Sequence, residues 1–269
     1  IASRGATACT SCLGVARGLT NLYNLKIAYR DKCTGRAAGV GTLDALNWAV
    51  QQIPNVKIFN YSFGSDTEVD DDFIARVFDY FADTYDLTIT VSAGNDGWEF
   101  LLWSDVKEVN SPGIAYNVLT VAAMNTQGTA SRDDDLDASF SSSGPTVGQR
   151  KKPDIAAPGG STEFLTFPFG GIKSVDFNSE GLVEKYGTSM AAPHIAGAAA
   201  LLAGAGVRDP LAVKALLINS TDWLFWGRKQ GWGYANLARA FDQRRNVQAG
   251  TITFNRVWLY KADAGGLFY

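Results

Sequence analysis

Two runs in this 269-residue chain leave little freedom in how it folds: Leu87-Thr88-Ile89-Thr90-Val91-Ser92 and Val118-Leu119-Thr120-Val121-Ala122-Ala123. Nearly every side chain in them is apolar or β-branched, with no alternation of apolar and polar positions. Such a strand has no face to give to water, so the sheet that holds it must be covered on both sides. Residues 25–29 and 56–62 read as further strands. Helical stretches lie between. Residues 42–52 form one, with Thr42 as N-cap and Leu43, Leu46, Ala49 and Val50 on its inward face. Residues 70–83 form another, with acidic residues in its first turn, where the helix dipole favours them. Strands alternating with helices predict an α/β fold, a mostly parallel sheet between two helical layers.

Further on, residues 190–203 are rich in Ala, Leu and Ile and read as a buried helix, with Pro193 in its first turn and Gly204 and Gly206 past its end. Asp209-Pro210 opens another helix to about residue 220. After Gly250 the pattern becomes strand-like again, at 251–254 and 257–260, so residues 1–249 are expected to form one domain and 250–269 a β-rich extension.

Bulk properties exclude several functions. A net charge of −3 supplies no cationic field for nucleic acid. No apolar run approaches the roughly 20 residues that span a bilayer. The chain opens without a signal-peptide pattern, so it is expected to begin within a mature or trimmed polypeptide. Cys9, Cys12 and Cys33 are the only cysteines and His194 the only histidine, too few for a zinc site. A structural role, with one disulfide among the three, suits an exported protein, and the pairing stays open.

In parallel sheets, active sites gather at the carboxyl ends of strands. Two Gly-bearing loops stand there, Asn60-Tyr61-Ser62-Phe63-Gly64 and Ser92-Ala93-Gly94-Asn95-Asp96-Gly97. Ser189 is the focus of chemistry. A serine at a Gly-containing turn into a helix presents its hydroxyl outward, and its N–H belongs to the unpaired donors of the helix start. Those properties suit a nucleophile whose own amide holds an oxyanion, although an N-cap looks the same in isolation.

The surrounding residues decide between the two. Gly187-Thr188-Ser189-Met190-Ala191-Ala192-Pro193-His194-Ile195-Ala196-Gly197 resembles the nucleophile signature of the subtilisin-like serine proteases. Five further segments resemble that family in the same order: the Asn60 to Gly64 run, Ser92-Ala93-Gly94-Asn95, the stretches at 138–145 and 152–159, and Gly231-Trp232-Gly233-Tyr234-Ala235-Asn236. The resemblance spans residues 1 to about 245. It implies a three-layer sandwich and an endopeptidase in which Ser189 is the nucleophile. Asn95 would bind the oxyanion, and Ser62, Phe63, Gly64, Ser92, Ala93 and Gly94 would hold a polypeptide substrate. No cofactor is required by it.

A hydroxyl needs an adjacent base oriented by a carboxylate. The family's Asp-[Ser/Thr]-Gly and His-Gly-Thr-His segments are absent from this sequence. His194 lies five residues past Ser189, turned about 140° away and about 7.5 Å along the helix. Lys185 is better read as a surface residue. The expectation is therefore a domain incomplete at its N-terminus, inactive alone, whose acid and base come from a partner segment of the same enzyme. A non-catalytic homologue that keeps the peptide groove as a binding scaffold is the competing reading. An α/β-hydrolase fails because Ala191 stands where its motif needs Gly. Structural calcium has candidate ligands in Asp70-Asp71-Asp72 and in Asp133-Asp134-Asp135 with Asp137, and residues 112–118 resemble a loop that binds a cation through carbonyls. Solvated acidic faces are the favoured reading. An extracellular location is expected.

Overall fold

The computed structural model describes residues 4–6, 9–30, 37–38, 41–97, 108–160, 170–176, 181–223 and 225–247. In chain order the first elements are strands β1 (Arg4–Ala6), β2 (Cys9–Leu13), β3 (Tyr29–Arg30) and β4 (Ala37–Ala38). Helix α1 (Thr42–Gln52), β5 (Ile58–Tyr61), α2 (Phe73–Thr84), β6 (Thr88–Ser92) and β7 (Leu119–Asn125) follow. Then come β8 (Leu136–Asp137), β9 (Ile155–Pro158), β10 (Ile172–Val175) and β11 (Leu182–Lys185), and finally α3 (Thr188–Gly204), α4 (Pro210–Asn219) and α5 (Leu237–Gln243).

The central sheet runs β5-β6-β7, with β9 and the two-residue β8 also paired to β7. All its pairings are parallel except β7 with β8. Register explains the unbroken apolar runs. Ile58, Leu119, Val121, Ala123, Ile155 and Ala157 face one core, which is closed by Ala191, Ile195, Leu202 and Leu217 of α3 and α4. Phe59, Tyr61, Ile89 and Val91 face the other core, closed by Leu46 of α1 and by Phe78 and Phe81 of α2. Every residue of β6 and β7 is buried, as two covered faces require. Each large aliphatic or aromatic side chain enclosed this way contributes about 1.5–3 kcal/mol. The expected α/β sandwich with a mostly parallel sheet is therefore present.

The structure corrects four local expectations. Of residues 25–29 only Tyr29 is in a strand, and β3 pairs antiparallel with β4, outside the central sheet. A strand needs a neighbour's backbone, and residues 21–28 have no ladder partner among the described residues, whatever their side chains favour. Thr42 is the first residue of α1 and Gly41 its N-cap; the Thr42 hydroxyl pairs with Tyr61 Oη instead, and Leu43 points outward at 42% exposure. Helix α2 begins only at Phe73, because the Asp72 carboxylate caps it by accepting from Ala75 N at 2.8 Å, so its first turn holds no acid. Helix α3 begins at Thr188, which places Pro193 inside the helix rather than in its first turn. The strands expected at 251–254 and 257–260, the domain boundary near 250, and Cys33 lie outside the described residues.

Beneath the sheet ends sits a buried ionic node. Asp154 Oδ2 accepts from Lys152 Nζ at 2.6 Å and from Thr120 N at 2.8 Å, while Lys214 Nζ stands 3.4 Å from its other oxygen. Burial pulls the Lys152 ammonium down to a pKa of about 7, against the attraction of Asp154. Burial alone would raise the Asp154 carboxyl, but the two ammonium groups hold it below the usual carboxylate range.

Candidate active site

Helix α3 starts where three glycines permit close approach. Gly187, its N-cap, has a φ of +142°, a conformation that side chains rarely adopt. Gly187 N donates to Gly159 O at 2.9 Å, and a Cβ on Gly159 would sit 2.4 Å from that of Ala123. The helix start is thereby pressed against the ends of β7 and β9. Gly94 (φ +114°) makes the equally tight turn that follows β6.

Asn95 follows that turn and reaches the helix. Its Oδ1 accepts from Thr188 N at 2.8 Å and from Thr188 Oγ1 at 3.0 Å. That orientation leaves Nδ2 pointing elsewhere, and the residue is exposed. Gly94 N donates to Thr188 Oγ1 at 3.2 Å, so the loop and the helix start are laced together on both sides of Asn95. Asn95 Nδ2 and Ser189 N have no hydrogen-bond partner among the described residues, whereas Met190 N and Ala191 N both bond Gly187 O. Two free donors therefore stand at the head of α3, one on the serine and one on the side chain fastened to the residue before it.

The Ser189 hydroxyl donates to Ser62 O at 3.3 Å, and the Ser62 hydroxyl donates back to Ser189 O at 3.0 Å. Ser62 immediately follows β5, so the structure brings three sequence segments, at 62, 95 and 189, to one end of the sheet. Phe63 is 36% exposed, with its ring edge-on to Tyr61 at 6.3 Å. Past it, Ser65 and Ser111 exchange backbone bonds of 3.0 Å, and a Cβ on Gly64 would lie 2.8 Å from Ser111 O. The backbone groups of Phe63 and Gly64 are unpaired among the described residues. Those of Ala93 and Gly94 are not: Ala93 N bonds Val121 O, Ala93 O accepts from Asn110 N, and Gly94 O accepts from Ser142 N. Ser92, Ala93 and Gly94 thus form a braced wall, and the open backbone lies on the Phe63–Gly64 side.

No imidazole or carboxylate of the described residues bonds the Ser189 hydroxyl. His194 Nδ1 donates to Met190 O, one turn back on its own helix, at 2.8 Å. Burial disfavours its charged form, and its Nδ1 is engaged within its own helix. Lys185 is exposed on β11.

Sequence reasoning missed the supports. Ser141 Oγ accepts from Ala123 N at 3.1 Å and Ser142 Oγ from Asp96 N at 3.3 Å, so the serine run at 141–143 underpins the Asn95 loop. Thr188 was legible only as a possible cap. The candidate calcium ligands do not converge. Asp70 is bound by Arg150, Asp71 by Arg76, Asp72 caps α2, and Asp134 accepts from Thr129. Among the described residues no group of three or more His, Cys, Asp or Glu side chains could hold a metal. The carbonyl loop at 112–118 does face cations, but they are side chains. Arg150 bonds Ile114 O, Lys214 bonds Tyr116 O and Val118 O, and Lys152 bonds Val118 O.

Comparison with known proteins identifies the family. The Subtilase family model matches residues 6–240. The serine protease AprX of Bacillus subtilis is 33% identical over 236 residues, covering 82% of this chain and 51% of AprX. Pyrolysin of Pyrococcus furiosus is 28% identical over 219 residues, covering 68% of this chain and 14% of pyrolysin. The chain thus spans about half the length of AprX and far less of pyrolysin. Among solved structures, the prenylagaramide maturation protease PagA superposes with a TM-score of 0.58 at 24% identity over 78% of this chain and 69% of that one. The self-cleaved protease domain of PatA gives 0.56 at 24%, over 76% and 66%. At such identity these two establish a shared fold. No described helix is long and apolar enough to cross a membrane. With a family match over most of its length, and a serine set by glycine at the head of a buried helix, the chain belongs to the subtilase family of serine proteases.

Proposed function

We propose that this chain carries the nucleophile and oxyanion site of a serine endopeptidase. The observation that supports it most is the pair of free donors, Ser189 N and Asn95 Nδ2, beside the Ser189 hydroxyl. An extended polypeptide lies along the open backbone of Phe63 and Gly64 in β-like pairing, with Ser62 at its near end and Phe63 shaping a side-chain pocket. The braced Ser92-Ala93-Gly94 segment walls the opposite side. Ser189 Oγ attacks the scissile carbonyl carbon, and its proton passes to a base. The carbonyl oxygen, now an anion, is held by the two donors. The intermediate then collapses, the C–N bond breaks, and the base returns the proton to the leaving amine. Water hydrolyses the resulting acyl-enzyme by the same route in reverse. Losing the asparagine donor costs roughly 10²–10³ in kcat, a magnitude that belongs to subtilisin itself.

The base is the element the described residues do not supply, since His194 faces its own helix. In this reading a histidine and an aspartate on a further segment of the same enzyme complete the site, and this chain alone is inactive. No cofactor enters these steps. An extracellular location belongs to the same reading. Treating the parent enzyme and this chain separately with a fluorophosphonate, then mapping the label, tests it. Label on Ser189 in the parent and none in the isolated chain is the expected result. A parent that stays unlabelled overturns the reading in favour of a peptide-binding scaffold.

A further inference from the structure

Pro193 creates a defect at the one carbonyl that matters most. Proline has no N–H, and its ring crowds the carbonyl four residues earlier in a helix. In α3 that carbonyl belongs to Ser189. Left bare at the head of a packed helix, it would be an unsatisfied acceptor and would free the residue that carries the reactive hydroxyl to tilt. The vacancy is filled from outside the helix. Ser62 Oγ donates to Ser189 O at 3.0 Å, while Ser189 Oγ donates to Ser62 O at 3.3 Å.

The direction of the Ser62 proton is itself fixed. Asn60 Nδ2 donates to Ser62 Oγ at 3.0 Å, and an oxygen that accepts there turns its one hydrogen elsewhere. Asn60 is oriented in turn by Thr90, whose buried hydroxyl lies 3.1 Å from Asn60 Oδ1. A chain of hydrogen bonds thus runs from the middle of β6, across β5, to the carbonyl of Ser189. Thr90 and Asn60 sit on strands of the sheet, and Ser62 directly follows one.

We infer that the Ser62 hydroxyl is a positioning residue for the nucleophile: it replaces the helical hydrogen bond that Pro193 removes and so sets where the Ser189 hydroxyl stands, with Asn60 and Thr90 orienting it. This inference rests on the peptidase reading of Ser189. The role is distinct from backbone contact with substrate, because it uses the side chain and acts through Ser189 rather than on the peptide. Substituting Pro193 by Ala returns an N–H to the helix at the vacant carbonyl, so the need for Ser62 should vanish with the proline.

The test is a double-mutant cycle in the full-length parent, with kcat and KM measured on a peptide substrate. Ser62→Ala should lower kcat about tenfold to a hundredfold, with KM changing much less, as loss of one orienting bond beside the reacting atom implies. Ser62→Thr, which keeps the hydroxyl, should recover part of that loss. In the Pro193→Ala background, Ser62→Ala should cost less than threefold. A generic packing role would leave the loss the same in both backgrounds. Equal losses with and without Pro193, or no loss on Ser62→Ala while the wild-type parent is active, overturns the inference. A wild-type parent that neither cleaves peptide nor takes up a fluorophosphonate defeats the peptidase reading instead. The Ser62–Ser189 lock is then judged from urea unfolding of the same four variants, where additive midpoints overturn it and non-additive midpoints support it.

Discussion

Gly94→Ala is the sharpest probe of how the Asn95 loop is built. Gly94 has a φ of +114°, outside the regions open to residues with a Cβ, and forcing an alanine into it costs about 1–3 kcal/mol. The added carbon would also lie 2.6 Å from Ser142 Oγ and 2.8 Å from Asn110 Cγ. Neither neighbour yields freely. Ser142 Oγ accepts from Asp96 N at 3.3 Å, and Asn110 Nδ2 donates to Asp96 Oδ2 at 3.1 Å. Overpacking of that kind adds about 1–3 kcal/mol, for a total of about 2–6 kcal/mol. Gly204→Ala is the matched control. Gly204 is the last residue of α3, and a Cβ there meets nothing within 4 Å. That change should stabilise by about 0.5–1 kcal/mol. Urea unfolding followed by tryptophan fluorescence measures both, and each kcal/mol should move the thermal midpoint by about 2–4 °C. Two glycines exchanged for the same residue must shift stability in opposite directions. Gly94→Ala within about 0.5 kcal/mol of wild type, or Gly204→Ala as damaging as Gly94→Ala, would refute the reasoning.

Asp154→Asn should destabilise by about 3–5 kcal/mol at neutral pH, because Lys152 and Lys214 lose their shared buried counter-ion. The folded carboxyl titrates below its unfolded value of 3.8, so its stabilisation is present above pH 3.8 and fades as pH falls through the folded value. The gap between wild type and variant in unfolding free energy should therefore close in that acid range; a gap independent of pH would count against the pairing. Leu202→Ala, at a fully buried position of α3, should cost about 2–5 kcal/mol in the same urea assay, and a smaller loss would mean the helix does not close that core. Asp72→Ala removes both the cap on Ala75 N and the acceptor for Ser111 Oγ at 2.9 Å, so a loss of about 1–2 kcal/mol is expected from thermal unfolding, and no loss would mean the cap is solvent-replaced.

What was readable in the chain beforehand was whatever depends on side-chain chemistry along a single element. The apolar β-branched runs of β6 and β7 required two covered faces, and the eleven residues around Ser189 marked a buried helix with a serine at its start. Elements whose limits depend on a partner were misread. Residues 25–28 have strand-forming side chains but no strand to pair with among the described residues, and Leu43 faces solvent because α1 rotates to bury Leu46 and Ala49. Asp70 to Asp72 looked like the acidic first turn of a helix, but a carboxylate that caps must stand outside the turn it caps.

By itself, then, the order of residues determined that there would be a buried parallel sheet and a serine presented at a helix start. Only the tertiary structure decided that Asn95 would hang from Thr188 with its amide nitrogen unpartnered among the described residues, that Lys and Arg side chains would fill the carbonyl loop, and that the Ser62 hydroxyl would donate to the carbonyl of Ser189. The reason is distance along the chain. Ser62 and Ser189 are 127 residues apart and Asn95 and Thr188 are 93 apart, so their bonds exist only because the sheet brings loop ends to one edge. Periodicity describes a neighbourhood of a few residues, and a hydrogen bond across the fold leaves no trace in it.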